Sequence, residues 1–150
     1  MVVKLLSLQR PSIEIARTSS DNTDFITLVQ LLDADLARRD GSEHSFYAQF
    51  NAINNIRHVV VAYENGRLVG CGAIKEFAPG IMEVKRMYTV AESRGKGVAS
   101  RILQELERWA AELSCNKCVL ETGKRLPEAI ELYKKNGYRI TANLWPVCGY

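Results

Sequence analysis

The chain has 150 residues, of which 47% are hydrophobic, so it is long enough for one domain with a core and too short for two ordinary ones. The formal net charge is only +3 and no Lys or Arg run forms a basic tail or stripe, so we expect no nucleic-acid partner. No segment is long enough to cross a bilayer and the N-terminus lacks the features of a secretory signal, so we expect a cytoplasmic protein without a membrane partner. We therefore treat residues 1–150 as one domain.

The first half of the chain predicts a strand, two helices and a hairpin. Residues 12–18 alternate apolar and polar like a half-buried strand, and Asp21 or Thr23 can cap the helix that follows. A break at residues 38–41 separates this helix from a second one, predicted over residues 42–53. Residues 58–77 then hold Asn-Gly between two apolar runs, which is the pattern of a type I′ hairpin between the second and third strands.

The second half predicts a fourth strand from about Ile81 to Val90, a long amphipathic helix after Gly97, a fifth strand from Lys117 and a helix from Pro127. Residues 138–140 and 144–147 are short terminal strand candidates. The crossover through the long helix makes strands four and five parallel. The fold class is thus α/β: a mixed, mostly antiparallel sheet with one parallel pair and about four flanking helices.

The four cysteines include Cys115 and Cys118 in the sequence CNKC. One such pair supplies at most two metal ligands, and no second pair or histidine stands at zinc-finger spacing. A redox motif would open a helix after a strand, whereas this pair lies between a helix and a strand. We expect no metal site and no disulfide, with Cys118 a small buried residue and Cys115 a loop residue.

The turn RGKGVA, residues 94–99, lies where the fourth strand enters the long helix. The first amides of a helix have no internal partner, and with the helix dipole they stabilise an anion by typically ~0.3 to 1 kcal/mol. Gly95 and Gly97 have no Cβ to hold a phosphate away, while Arg94 and Lys96 add positive charge. The pattern favours a pyrophosphate site; the alternative is a glycine-rich connection with solvated basic residues.

Two other phosphate loops fit less well. A Walker A loop needs GxxxxGK followed by Ser or Thr, which this chain lacks. A dinucleotide fingerprint would use Gly95, Gly97 and Ser100, with Glu121 as the ribose-binding acid. However, only 53 residues follow Gly97, too few to complete a doubly wound sheet, and the antiparallel hairpin upstream disagrees with that fold.

Residues 81–138 resemble the GNAT superfamily of N-acetyltransferases. RGKGVA fits its coenzyme A signature, LETGKRLPEAIELYKKNGY is similar to the strand and helix that follow, and the order of elements agrees over the chain. The resemblance implies acetyl-CoA as cosubstrate, without a metal, and a thioester lying between strands four and five. It implies pyrophosphate binding by the amides of Arg94, Gly95, Lys96, Gly97, Val98 and Ala99, and strand-like pairing of the pantetheine arm with Met87, Tyr88 and Thr89.

The resemblance also implies two catalytic groups. An amine with pKa near ~10.4 is mostly protonated at neutral pH, and its deprotonation costs roughly 4 to 5 kcal/mol. Glu83 stands at the spacing from Arg94 where some family members carry a base, although it could instead be a solvated strand residue. Tyr133 falls where the family often places the acid for the thiolate, although it could pack in the core with Ala129 and Ile130. Ala129 stands where many relatives carry an asparagine, so the resemblance implies no side-chain contact with the coenzyme at this position.

In the family, the two early helices and the C-terminal strands wall the acceptor groove. Here the helix junction carries Asp40, Glu43, His44 and Tyr47. The carboxylates would favour a cationic amine, and Tyr47 would form an apolar wall of the groove. The alternative is that Asp40 only forms the turn between the helices and the charged side chains are solvated. We expect direct N-acetylation of a small-molecule amine; the alternative is a non-catalytic acetyl-CoA-binding or regulatory module, and a homodimer is left open.

Overall fold

The computed structural model describes residues 1–3, 12–40, 56–120 and 127–139. The described residues up to Leu120 belong to one compact unit, and those from Pro127 onward belong to a second unit that begins at Glu121. In these ranges no helix has the length and apolar character needed to cross a membrane. The elements in chain order are β1 (Ile13–Thr18), α1 (Thr23–Asp40), β2 (His58–Glu64), β3 (Arg67–Ala78), β4 (Ile81–Thr89), a 3-10 helix (Ala91–Ser93), α2 (Val98–Glu112), β5 (Lys117–Val119) and α3 (Pro127–Lys135).

The five strands form one sheet in the order β1-β2-β3-β4-β5. The first four pair antiparallel and β4 pairs parallel with β5, so the predicted mixed sheet is confirmed. The described residues contain three of the four predicted α-helices. The second predicted helix, at residues 42–53, lies outside the described residues, as do residues 140 and 144–147 of the terminal strand candidates, whereas the described residues 138 and 139 form no strand.

The β2–β3 hairpin turns at Asn65 and Gly66, which both have positive φ, 50° and 82°, as the type I′ prediction requires. Asn65 also joins the hairpin to the start of β1. Its N–H donates to the carbonyl of Ser12 at 3.0 Å, and its Oδ1 accepts from the N–H of Ser12 at 3.2 Å. The turn residue therefore helps to align β1 against β2.

The N-terminus of α1 differs from the prediction. The capping side chain belongs to Asn22, whose Oδ1 accepts a hydrogen bond from the N–H of Phe25 at 3.0 Å. Thr23 is the first helical residue, and the side chain that reaches the third helical amide is the one just before the helix. Asp21 stands one residue too early and instead accepts from the hydroxyl of Ser19.

Both faces of the sheet are covered by helices. Residues of α1, including Phe25 and Leu28, pack against Val59 and Ala73 on one face. On the other face, α2 lies so close to β3 that a Cβ added at Gly72 would come within 2.8 Å of Ile102. This tight packing fixes α2 against the sheet and places its first residue just beyond the end of β4.

Candidate coenzyme and active site

The connection from β4 to α2 places two glycines in the left-handed region, Gly95 with φ 81° and Gly97 with φ 84°. Gly97 directly precedes the first residue of α2. A Cβ built on either glycine would meet no protein atom within 4 Å. Packing therefore does not require these glycines; the backbone conformation does, and it leaves open space on this side of the loop.

The N-terminus of α2 offers unpaired backbone donors to this space. The first bond into the helix runs from the N–H of Arg101 to the carbonyl of Gly97 at 3.1 Å, so the amides of Val98 and Ala99 have no partner within the helix. No acidic side chain stands in this first turn and no side chain caps Gly97. The positive end of the helix dipole is thus available to an anion.

The side chains of the two basic loop residues, Arg94 and Lys96, both contact strand residues outside the loop. The Nε of Arg94 donates to the carbonyl of Thr89 at 2.9 Å, and its guanidinium lies 5.7 Å from the centre of the Tyr88 ring. The N–H of Arg94 reaches the carbonyl of Ala91 at 3.4 Å. Lys96 lies 3.3 Å from the Oε1 of Glu64, a partner that sequence reasoning missed because it is 32 residues away. Arg94 is therefore turned toward the strand end, and Glu64 offsets the charge of Lys96.

Strand β4 has one edge that is only partly paired. Its pairs with β5 run from Ile81 to Glu83, whereas its pairs with β3 continue to Thr89. Beyond Glu83, the described residues place no strand against the β5 side of β4; we call residues 84–89 on this side the open edge. The N–H of Val90 donates to Val69 on β3 at 2.8 Å, so alternation directs the amides of Met87 and Thr89 to the open edge.

The same alternation directs the amide of Tyr88 toward β3, and the ring of Tyr88 packs against the core under α1. Met87, Tyr88 and Thr89, which the resemblance assigns to the pantetheine arm, thus differ in the direction of their amides. Met87 and Thr89 present backbone groups to the open edge. Tyr88 anchors the strand and carries the guanidinium of Arg94 over its ring.

A β-bulge interrupts β4 beside the open edge. Cys71 pairs with Tyr88 and Ala73 pairs with Lys85, so Gly72 alone faces both Arg86 and Met87. Arg86 has φ 59°, an uncommon conformation for a residue with a long side chain. A bulge bends the strand that carries it, and this one follows closely on the last pair between β4 and β5.

Glu83 stands at the start of the open edge, as the last β4 residue paired with β5. It lies opposite Lys75 on β3, and alternation places it on the sheet face covered by α1. Its side chain is 19% exposed and its Oε1 lies 3.6 Å from the Nζ of Lys85. The predicted base therefore has a half-buried carboxylate next to a cation.

Tyr133 lies on α3 and is half-buried. Its ring meets that of Tyr138 edge-on with centroids 5.8 Å apart, and the N–H of Tyr138 donates to the carbonyl of Tyr133 at 2.9 Å. Burial raises the pKa of the Tyr133 hydroxyl to about 12. The hydroxyl is thus protonated at neutral pH, as a proton donor must be.

The structure does not describe the side chains of the predicted acceptor residues. Asp40 ends α1 and its side chain is not among those described, and His44 and Tyr47 lie outside the described residues. The described residues hold no group of three or more His, Cys, Asp or Glu that could bind a metal. Cys71, Cys115 and Cys118 are free thiols, with Cys118 half-buried on β5 rather than buried as predicted.

Sequence reasoning missed a buried ion pair between α1 and β4. Asp33 Oδ1 lies 3.6 Å from the guanidinium of Arg86, and the two side chains are 2% and 7% exposed. Burial raises the pKa of Asp33, while the charge of Arg86 opposes that rise. The available signal was spacing: Asp33 stands four residues after the buried Val29, on the apolar face of the predicted helix.

The sequence matches the profile of the Acetyltransferase (GNAT) family over residues 25–138. This chain belongs to that family. The chain is accordingly an acyltransferase of the N-acetyltransferase type.

Individual relatives agree with the family assignment. The chain is 35% identical over 132 residues to an "IAA acetyltransferase" of Azospirillum brasilense, and the match covers 85% of each protein. A crystal structure from Klebsiella pneumoniae, of a protein assigned as an acyl-CoA N-acyltransferase, has a TM-score of 0.69 at 30% identity and covers 89% of this chain and 88% of that one. A Clostridium acetobutylicum structure, described as a predicted acetyltransferase with acetyl-CoA, shares the fold with a TM-score of 0.64 at 24% identity over 89% of this chain and 97% of that one.

Proposed function

We propose that this protein transfers an acetyl group from acetyl-CoA directly to the amine of a small molecule, without a covalent enzyme intermediate. The observation that carries this proposal is the arrangement of α2 and β4 within one unit. The open N-terminus of α2 follows β4 after a 3-10 helix and the glycine loop, and one edge of β4 is open beyond Glu83. Coenzyme A has the matching parts in the matching order: an anionic pyrophosphate followed by an arm that contains amide groups.

The loop residues 94–99 would hold the pyrophosphate. Gly95 and Gly97 leave space beside the loop, and the amides of Val98 and Ala99, which have no partner within the helix, would donate to the phosphate oxygens. The side chain of Arg94 is bonded to the carbonyl of Thr89 at the end of β4, so its positive charge would act on the phosphates from that side. Lys96, whose side chain is 44% exposed, can reach the phosphates once it leaves Glu64, whose own side chain is only 14% exposed.

The open edge would hold the pantetheine arm. Amides of the arm would pair with the backbone of Met87 and Thr89 as an added strand does, while Tyr88 keeps β4 in place. The acetyl thioester, at the end of the arm, would then lie toward Glu83, where β5 begins to pair with β4. This direction follows from the loop holding the other end of the coenzyme.

Glu83 is the proposed general base. An ammonium acceptor must lose a proton before its nitrogen can attack the thioester carbonyl, and a carboxylate at the start of the open edge can accept that proton directly or through water. Attack then forms the C–N bond and breaks the C–S bond. Lys85, 3.6 Å from Glu83, keeps the carboxylate in place when no acceptor is bound.

Tyr133 is the proposed general acid for the departing thiolate. The assignment rests on its position in the family's order of motifs, and its raised pKa supports it because the hydroxyl keeps its proton throughout the neutral range. Asp40, His44 and Tyr47 are proposed acceptor contacts on the same basis. Two carboxylates at that junction, Asp40 and Glu43, favour a small cationic amine.

The proposal is tested by thiol release. Purified protein is mixed with acetyl-CoA and a panel of amines, polyamines and amino acids, and free coenzyme A is measured with a thiol reagent. We expect release that depends on the amine, matched mole for mole by an acetylated product in the mass spectrum. Tight binding of acetyl-CoA with no release for any amine would instead identify a non-catalytic acetyl-CoA-binding module.

A further inference from the structure

We propose that Asp33 and Arg86 form a positioning pair that holds the bulge of β4 and thereby directs the amide of Met87 to the open edge. The inference rests on the proposed function, because it concerns how that edge receives the arm of acetyl-CoA. Neither residue is taken to touch the reacting atoms.

The conformation of Arg86 is the first observation. It occupies the left-handed region, with φ 59°, in a bulge where two residues of β4 face Gly72 alone. Glycine is the usual residue at a left-handed bulge position, because it has no Cβ that clashes there. A long side chain in this conformation persists only where its surroundings hold it.

The bulge is held by contacts with α1 and β3 and has room beside Gly72. The guanidinium of Arg86 pairs with the buried carboxylate of Asp33 on α1 at 3.6 Å. The carbonyl of Arg86 accepts a hydrogen bond from the Sγ of Cys71 at 3.3 Å. Gly72 leaves room for the next residue, since a Cβ there would lie 2.5 Å from the Sδ of Met87. The side chain of Arg86, its carbonyl and the following residue Met87 thus each have a different neighbour.

Stability alone is a poor explanation for this pair. Removing two charges from water costs free energy that their mutual attraction often fails to recover, and well-packed apolar residues serve stability as well or better. Arg86, the β4 member of the pair, stands immediately before Met87. A bulge changes which amides of a strand face each edge, because side chains and amides alternate with a period of two. The conformation of residue 86 therefore determines whether the N–H of Met87 faces the open edge.

The test separates conformation from charge. Two double variants, Asp33→Asn/Arg86→Gly and Asp33→Asn/Arg86→Val, both lack the ion pair and the buried charges. Glycine at position 86 adopts positive φ freely, whereas valine strongly favours the extended strand. The dissociation constant of acetyl-CoA is measured by calorimetry for both variants and for the unaltered protein, and circular dichroism verifies folding. Should the valine variant not fold, Arg86→Ala in the same background takes its place.

We expect the glycine variant to bind acetyl-CoA at least ten-fold more tightly than its partner variant. A smaller difference between two folded variants overturns the positioning role and leaves the pair a feature of the core. If the unaltered protein does not bind acetyl-CoA at all, the proposed function fails instead. A pair that acted only on stability would separate the two variants in unfolding temperature, where glycine is favoured at positive φ, and would leave the affinities of the two folded proteins equal.

Discussion

Glu83 of β4 lies opposite Val119 of β5, and in the described part of the chain this is the last pair that the two parallel strands form. The candidate base thus stands at the boundary between the paired and open parts of β4. An arm bound along the open edge with its phosphates at the loop would end near this carboxylate. In the proposed reaction, the position of this strand pair would bring coenzyme binding and acceptor deprotonation together.

Replacing Glu83 by Gln should lower kcat/KM for the amine about a hundredfold near pH 7, because the acceptor then loses its proton to solvent. The deficit should shrink as the pH approaches the pKa of the amine, where the free base is already abundant. The measurement is a pH profile of initial rates. Glu76→Gln, which alters an exposed carboxylate on the neighbouring strand, is the matched control. An unaltered profile in the Glu83→Gln enzyme would remove the base assignment.

Replacing Tyr133 by Phe should lower kcat on the order of a hundredfold and leave the affinity for acetyl-CoA nearly unchanged, because only proton donation to the thiolate is lost. Tyr138→Phe is the matched control, since its ring packs edge-on against Tyr133 and the change also removes one hydroxyl. Steady-state kinetics and calorimetry give the two quantities. Full kcat in the Tyr133→Phe enzyme, with chemistry rate-limiting, would show that another group donates the proton.

The pH dependence of kcat should reflect the raised pKa of Tyr133. Burial raises this pKa from 10.0 to about 12, so the folded state favours the neutral phenol more than the unfolded state does. The corresponding stabilisation is present below the unfolded pKa and is lost as the pH rises through the folded pKa. At about pH 10, where an ordinary tyrosine is half ionised, kcat should therefore show no decline. A decline centred near that pH would place the acid in an ordinary, solvated environment.

The acceptor residues can be tested although they lie outside the described side chains. Asp40→Ala and His44→Ala should each raise KM for the amine several-fold and leave KM for acetyl-CoA nearly unchanged, as expected when only acceptor binding is lost. Tyr47→Ala should act in the same direction through loss of an apolar wall. Equal changes in KM for both substrates, or no change in either, would show that these residues only form the helix junction.

Much of the fold could be predicted because its signals are local. Asn65-Gly66 marks a turn in which both residues need positive φ, and the glycine loop with the amphipathic α2 marks a strand-to-helix connection. The parallel pairing of β4 and β5 followed from that crossover. These features depend on backbone conformation and periodicity within a few residues.

The features that were not predicted depend on contacts between distant segments. Nothing in the sequence around Arg86 signals a left-handed residue, since the conformation is held by Asp33 on α1 and Cys71 on β3. The pairing of Lys96 with Glu64 likewise depends on the hairpin end reaching the loop. The cap at Asn22 was missed for a smaller reason: the helix begins one residue later than an Asp21 cap would require.

The central claim is that the glycine loop binds the pyrophosphate of acetyl-CoA. The most direct test compares the dissociation constant of acetyl-CoA for the Gly97→Ala variant with that for the Gly80→Ala variant. Both glycines have nearly the same positive φ, 84° and 78°, and at neither would a Cβ come closer to the protein than an ordinary contact, so the two variants carry similar backbone strain. Gly80 lies in the β3–β4 turn, at the opposite end of β4 from the loop. We predict that Gly97→Ala weakens binding about ten-fold or more while Gly80→Ala binds like the unaltered protein. Equal affinity in the two variants would contradict the account.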